Sequence, residues 1–307
     1  MAFAPASIGN VAVGFDVLGQ AISGAGDRCT ATVVQTQEVR IRSISGLSSA
    51  LPVDPQANTA GRAVLSLLDS AKPGFGVELS IEKGIPLGSG MGGSAASAVA
   101  GVVAANALLP RSLDTDELLQ HAMRGEALAS GAVPHADNIA PSLYGGLTLV
   151  TGKTEVVVTR LPVPDDMVSI LVYPHIRLDT RAGREILSSA LPMPAVIEQL
   201  AAMAGFVSAC YRNDHVLLAQ TLKDGLIEPQ RQHLIPGFRD VQKNALDCGA
   251  IGCSISGSGP SVFAWSPITQ ATAVSSAMQA AFAAHGLGSD YWISPMNSPG
   301  AAVEKIQ

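Results

Sequence analysis

The sequence predicts an α+β protein of two domains, and three observations carry that reading. The chain has 307 residues, enough for two cores of ordinary size. Apolar residues make up 47% and charged residues 14%, which describes a compact, well-buried chain and excludes a disordered one. Helix and strand patterns occur in both halves with few tidy strand–helix alternations, which suggests two α+β layers side by side.

Taken in order, residues 30–43 and 76–82 are rich in β-branched side chains and alternate apolar with polar, so they predict half-buried strands; residues 58–70 between them predict a helix. The run Pro86-Leu-Gly-Ser-Gly-Met-Gly-Gly-Ser-Ala-Ala-Ser97 is a glycine-rich loop that leads straight into an apolar helix. Residues 114–128 predict an amphipathic helix capped by Asp114 or Thr115, with Glu117 in its first turn where the helix dipole favours a carboxylate. Strands follow at 145–150 and 156–161, around a turn at 152–154. Prolines 162 and 164 mark a soft boundary, and the domains are assigned to residues 1–155 and 156–307. Beyond it, residues 168–173 form a continuous apolar strand, 181–190 and 195–213 helices, and 240–248 another helix. Short strands at 252–255 and 261–265 flank a second glycine turn, and 271–285 predicts a late helix.

The net charge of −6 argues against broad nucleic-acid binding and against attachment to an anionic membrane. Four cysteines show no metal-ligand spacing and are too sparse for a disulfide framework, and six histidines form no HxxxH pair, so a reducing, cytoplasmic setting is expected. The N-terminus carries no basic region followed by an apolar core, so no secretory signal is expected. The longest candidate membrane span, residues 94–109, is short of the roughly 20 residues needed to cross a bilayer and reads as a buried core helix.

Chemistry concentrates in the glycine-rich loop. Four glycines in the six positions 88–93 let the backbone turn tightly and present bare N–H groups, and the helix start behind them adds free donors and a positive dipole end. No Asp, Glu, Lys or Arg occurs between residues 84 and 110, so an anion held here must be met by main-chain amides, hydroxyls and a metal ion that arrives with it. The loop fits GxGxxG, but Gly84-Ile-Pro86 separates it from the preceding strand and no acidic residue ends a strand about 20 positions on, so a dinucleotide fingerprint is disfavoured. A P-loop lacks its lysine. A turn serving only helix–strand packing is the remaining bland alternative.

Two further motifs stand with the loop in a fixed order: Ala4-Pro-Ala-Ser-Ile-Gly-Asn-Val-Ala-Val-Gly-Phe-Asp16 and Ile255-Ser-Gly-Ser-Gly-Pro-Ser-Val-Phe263. Together the three resemble the kinase superfamily named after galactokinase, homoserine kinase, mevalonate kinase and phosphomevalonate kinase (GHMP). His135-Ala-Asp-Asn-Ile-Ala-Pro141, Tyr144-Gly-Gly146, Thr180-Arg-Ala-Gly-Arg184 and Glu228-Pro-Gln-Arg-Gln-His-Leu-Ile-Pro-Gly-Phe238 make its homoserine kinase branch the closest match. That resemblance implies an N-terminal domain with a left-handed βαβ unit, a ferredoxin-like C-terminal domain, an active site in the cleft between them, a homodimer, and ATP-dependent phosphorylation of L-homoserine in threonine biosynthesis.

The resemblance also distributes roles. Pro86, Leu87, Gly88, Ser89, Gly90, Met91, Gly92, Gly93, Ser94, Ala95 and Ala96 would wrap the phosphates of ATP, with Ser94 and Glu126 near Mg²⁺ and Asn58 near adenine. Gly257 to Gly259 would brace that loop. Arg184 and Arg231 would clamp the substrate carboxylate with paired guanidinium donors. Asp16 would meet the ammonium group, His135 and Asn138 would complete the pocket, and Asn10 would orient the hydroxyl. The general base stays open: a carboxylate neutralised by an ammonium group is a poor one, which favours catalysis by alignment and charge neutralisation.

Departures from the pattern are Gly93-Ser94 for a Ser-Ser pair, Val11-Ala-Val13 for Leu-Gly-Pro, and a possible extra residue between Glu126 and His135. Lys83 and Arg111 read as solvated charges. A kinase of another small alcohol such as mevalonate, or a non-catalytic nucleotide-binding regulator, are the competing readings.

Overall fold

The computed structural model describes residues 1–130, 135–152 and 155–304. The run before His135 at 131–134 and most of the turn expected at 152–154 lie outside the described residues.

The first sheet is built on one long strand. β1 (Ala2–Gly9) runs antiparallel to β2 (Leu18–Val34), with a register shift between Pro5 and Ala6. The strand expected over 30–43 is two pieces, the end of β2 and the start of β3 (Val39–Gly46), broken at the polar run 35–38. α1 (Thr59–Ala71) connects β3 to β4 (Gly76–Lys83), which lies parallel to β3 and antiparallel to β2, so β3-α1-β4 is the βαβ crossover. α1 begins where expected because Asn58 caps it, accepting from the amides of Ala60 and Gly61.

α2 (Gly93–Asn106) is the apolar helix after the glycine loop. Its alanines, glycines and valines are buried on nearly every side, and Gly101 lets it come close to Ala60 of α1. α3 (Thr115–Ser130) starts in a reciprocal cap, Asp114 Oδ1 accepting from Glu117 N and Glu117 Oε2 from Asp114 N, both at 2.9 Å. α4 (Ile139–Tyr144), β5 (Leu147–Thr151) and β6 (Val157–Leu161) complete the layer. β5 pairs with β2, and β6 with β5. A division at 155/156 therefore separates two paired strands; the sheets change over at 162–164.

The second sheet contains β7 (Met167–Pro174), β8 (Gly252–Ile255), β9 (Val262–Pro267) and β10 (Ser289–Pro295) in the order β10-β7-β9-β8, all antiparallel. With α9 (Phe238–Asp247) and α10 (Ala271–Ala284) packed on it, this is the ferredoxin-like arrangement. α5 is only Thr180–Glu185, capped by Asp179, and not the helix expected to residue 190: beyond it the chain is captured by Gln230, whose Oε1 accepts from Ser188 N at 2.8 Å. α6 (Met193–Arg212), α7 (His215–Thr221) and α8 (Glu228–Arg231) fill the long connection to α9. Among the described residues α6, not the 94–109 segment, is the helix long and apolar enough to cross a membrane, with 20 residues and a mean hydropathy of 1.4 over its 18-residue window. The last short strand, β11 (Ala302–Val303), returns to β1.

The two sheets are joined by a buried polar tie, Trp265 Nε1 of β9 donating to Gln20 Oε1 of β2 at 2.9 Å. The loops that face each other across this joint carry the motifs.

Candidate active site

A cavity of about 180 Å³ at the joint is lined by the glycine loop from Pro86 to Ser94, together with Asn10, Glu126, Asp137, Asn138, Thr180, Arg184, Arg231, Gly257 and Ser258. A wider groove of about 620 Å³ between α1 and α3 contains none of the motif residues, and its charged lining is Arg62, Asp69 and Arg124.

The loop is held by its carbonyls. Gly88 O accepts from Leu178 N, Ser89 O from Ser261 N, Gly90 O from Ser256 Oγ, Met91 O from Ser7 N, Gly92 O from Ala96 N and Gly93 O from Lys83 Nζ. Among the described residues, no amide from Gly88 to Gly92 donates to a protein acceptor. The carbonyls are taken up by hydrogen bonds and the amides of a loop that lines the cavity are left without protein acceptors, which is the arrangement an anion needs. Positive φ at Gly88, Gly90 and Gly92 makes the alternation possible. The second glycine turn braces this loop, and it also lines the cavity through Gly257 and Ser258.

At the head of α2, Ser94 Oγ donates to Glu126 Oε1 at 2.8 Å. Burial pushes Glu126 up to about 7 against the pull of that hydroxyl. No cluster of three or more His, Cys, Asp or Glu able to hold a metal occurs among the described residues. A hydroxyl beside one buried carboxylate still fits Mg²⁺, which takes few protein oxygens and completes its shell with phosphate and water. Gly93 stands where the resemblance expects a second serine; a Cβ there would come within 3.1 Å of Ile85 Cγ2.

Opposite the loop, Arg184 grips Asp16 with both terminal nitrogens, at 2.7 and 3.0 Å. His135 Nδ1 is 3.2 Å from the same carboxylate, and burial lowers the histidine, so the ring is neutral at pH 7. Asp16 and His135 do not themselves line the cavity; Arg184, which does, holds Asp16. Arg231 is 2% exposed; its Nε donates to Gly183 O at 2.8 Å and its Nη1 to Gly257 O at 3.2 Å. Burial, with Arg184 beside it, lowers Arg231 to about 10, still fully charged at pH 7. Arg231 Nη2 and Arg184 Nε are buried and have no hydrogen-bond partner. Both guanidinium groups lie over Phe15, at 5.2 and 5.6 Å.

Asn10 ties the first motif to the second glycine turn: its Nδ2 donates to Gly257 O at 2.8 Å and its Oδ1 accepts from Asp16 N at 3.0 Å. The loop around it holds Asn10, Val11, Ala12 and Asp16 at positive φ. Asn138 Oδ1 accepts from Ser7 Oγ at 2.9 Å, which links α4 to β1 under the glycine loop.

Asn58 does not line this cavity; its Oδ1 caps α1 and its Nδ2 donates to Pro52 O. Ala95 and Ala96 are wholly buried behind the loop. Lys83 is not solvated but 2% exposed and paired with Asp27. The principal omission is Asp137, which lies inside the quoted histidine motif. It is buried at the cavity wall, and burial, with the Asp16 carboxylate behind it, pushes it up to about 7.

Family models of the GHMP kinases N terminal domain and of the GHMP kinases C terminal match residues 58–146 and 206–284. A homoserine kinase of Xylella fastidiosa (strain M12) is 48% identical over 98% of this chain and 92% of its own length. One of Chlorobium phaeobacteroides (strain BS1) is 42% identical over 98% of both. The crystal structure of homoserine kinase from Cytophaga hutchinsonii ATCC 33406 superimposes with a TM-score of 0.95 at 42% identity, covering 99% of this chain and 96% of that one. The mevalonate kinase of L. major in complex with R-mevalonate, at 16% identity and a TM-score of 0.70, covering 98% of this chain and 96% of that one, shares the fold.

Proposed function

Because this chain belongs to the homoserine kinase family of GHMP kinases, we propose that it transfers the γ-phosphoryl group of ATP to the side-chain hydroxyl of L-homoserine, giving O-phospho-L-homoserine for threonine biosynthesis. The observation that carries the reading is the polarity of the site: a loop of amides without protein acceptors opposite the buried guanidinium of Arg231 and the half-buried one of Arg184, each with an unused donor.

The zwitterionic substrate fits by exchange. Its ammonium group takes a place on Asp16, and its carboxylate takes the free donors of Arg231 and Arg184, so charge stays balanced as each protein ion keeps an opposite partner. Mevalonate has no ammonium group to offer Asp16, which favours the amino acid. The hydroxyl oxygen then attacks the γ-phosphorus, the bond to the bridging β–γ oxygen breaks, and the hydroxyl proton passes to Asp137, whose buried carboxylate is basic enough to accept it at neutral pH. Ser94 and Glu126 would hold Mg²⁺, which neutralises phosphate charge when bound. Amides 88–94 align the phosphates and exclude water from their far side.

The active form is proposed to be a homodimer joined through α6. Met193, Ile197, Leu200 and Tyr211 lie on one exposed stripe of that helix, with Val216 of α7 beside it, an apolar face suited to a second copy. Free cysteines at 29, 210, 248 and 253 fit a cytoplasmic location. The test is ADP release by purified protein given ATP, Mg²⁺ and a panel of hydroxy acids. Homoserine is expected to be turned over far faster than mevalonate or threonine; preference for mevalonate, or ATP binding with no turnover, would overturn the assignment.

A further inference from the structure

The carbonyl holders of the glycine loop are neutral donors except at Gly93, where the donor is the ammonium group of Lys83. Lys83 Nζ donates to Gly93 O at 2.9 Å and to Ser97 Oγ at 2.7 Å, and it forms an ion pair with Asp27. Asp27 is fully buried; its Oδ1 accepts from Gly84 N at 3.0 Å and from Ile85 N at 3.2 Å, and its Oδ2 accepts from Ser97 Oγ at 2.6 Å. Asp27 therefore holds the entrance of the loop, Lys83 holds its exit, and Ser97 joins both to the second turn of α2.

Stability alone is a weak reason for such a pair. Taking two ions out of water costs several kcal/mol each, and apolar residues of similar volume often do as well or better. What the ions add is direction: each makes several charge-assisted bonds to main-chain or hydroxyl partners at fixed positions, which apolar side chains cannot do. We propose that Asp27 and Lys83 are positioning residues for phosphoryl transfer, a buried clamp that fixes the spacing between the two ends of the glycine loop and so points its amides at the phosphates. The proposal rests on reading that loop as the ATP phosphate site, and it assigns Ser97 as the third member of the clamp.

The decisive protein is the double variant Asp27→Asn/Lys83→Met, which removes both charges together and strands neither. Hydrogen exchange of residues 84–97 in the nucleotide-free enzyme, the Kd of MgADP by calorimetry, the KM for homoserine and the melting temperature are compared with wild type. The expected result is a folded protein with loop exchange accelerated at least tenfold, MgADP bound roughly 10- to 100-fold more weakly, and the homoserine KM within about twofold. A folded double variant with wild-type loop exchange and wild-type MgADP affinity would overturn the proposal, as would equal losses for MgADP and homoserine. Should the double variant not fold, Ser97→Ala decides by the same readouts, with a roughly three- to tenfold loss of MgADP affinity expected and none contradicting the clamp. If wild-type protein bound no MgADP, the kinase reading would fail, while the loop-exchange comparison would still decide the clamp.

Discussion

At the scale of single residues, the site works through groups whose partners are incomplete without substrate. Arg231 is anchored through Nε and Nη1 and leaves Nη2 free, so Arg231→Ala should raise the KM for homoserine roughly 10- to 100-fold with kcat less affected, measured by steady-state kinetics. Asp137 gives a pH prediction. With its carboxyl at about 7, the proton-accepting form disappears as pH falls through that value, so kcat/KM for homoserine should drop about tenfold per unit below it, and Asp137→Asn should be slow at every pH. Linkage supplies a second readout with the opposite sign. A carboxylate raised from 3.8 to about 7 by folding contributes its stability below pH 3.8 and loses it as pH rises through 7, so at pH 7 ligand-free Asp137→Asn should gain stability over wild type that it lacks at pH 4. Residues inside motifs were legible in the sequence: Arg184, Arg231 and Ser94 line one cavity, and Glu126, which lies in none of the quoted motifs, lines it with them. Lys83 and Asp27 were not, because a charged residue is read as solvated unless its partner is seen, and 55 residues separate these two.

At the scale of elements, the glycine loop is attached to its surroundings through its carbonyls. A Cβ on Gly90 would lie 2.6 Å from Gly259 O and 2.7 Å from Ser256 O, at a backbone angle of φ +78°, so Gly90→Ala should push the two glycine turns apart and raise the KM for ATP at least tenfold. Gly74→Ala is the matching control: its φ is +83° but nothing lies within 4 Å, so it should cost about 1 kcal/mol of stability and leave both KM values unchanged. Elements with local signals were legible, as in the Asn58 cap of α1, the Asp114–Glu117 cap of α3 and the alanine-rich α2. Elements defined by burial were not. β1 has almost every residue buried, a proline in its middle and no alternation, and it is a strand because β2 pairs with it. The overlong α5 shows the converse, a helical pattern ended by a tertiary bond to Gln230.

At the scale of the whole molecule, two sheets meet so that a loop from each side closes on the other. Gly257 O, from the second layer, accepts from Asn10 of the first and from Arg231 of its own, and no local pattern reports that convergence. The two-layer division and the order of motifs could be read along the chain, whereas the return of β11 to β1 could not. The proposed assembly makes a prediction here: Leu200→Asp on the exposed stripe of α6 should halve the sedimenting mass without lowering the melting temperature, and an unchanged dimer would place the interface elsewhere. The central claim is that uncharged main-chain dipoles hold the triphosphate opposite two arginines that hold the amino acid. A crystal structure with a non-hydrolysable ATP analogue, Mg²⁺ and homoserine tests it directly. Phosphate oxygens about 3 Å from the amides of residues 88–94, with the homoserine carboxylate on Arg231 Nη2, are the predicted result. A triphosphate seated on Arg62 and Arg124 in the groove between α1 and α3, with the glycine-loop amides left to solvent, would contradict it.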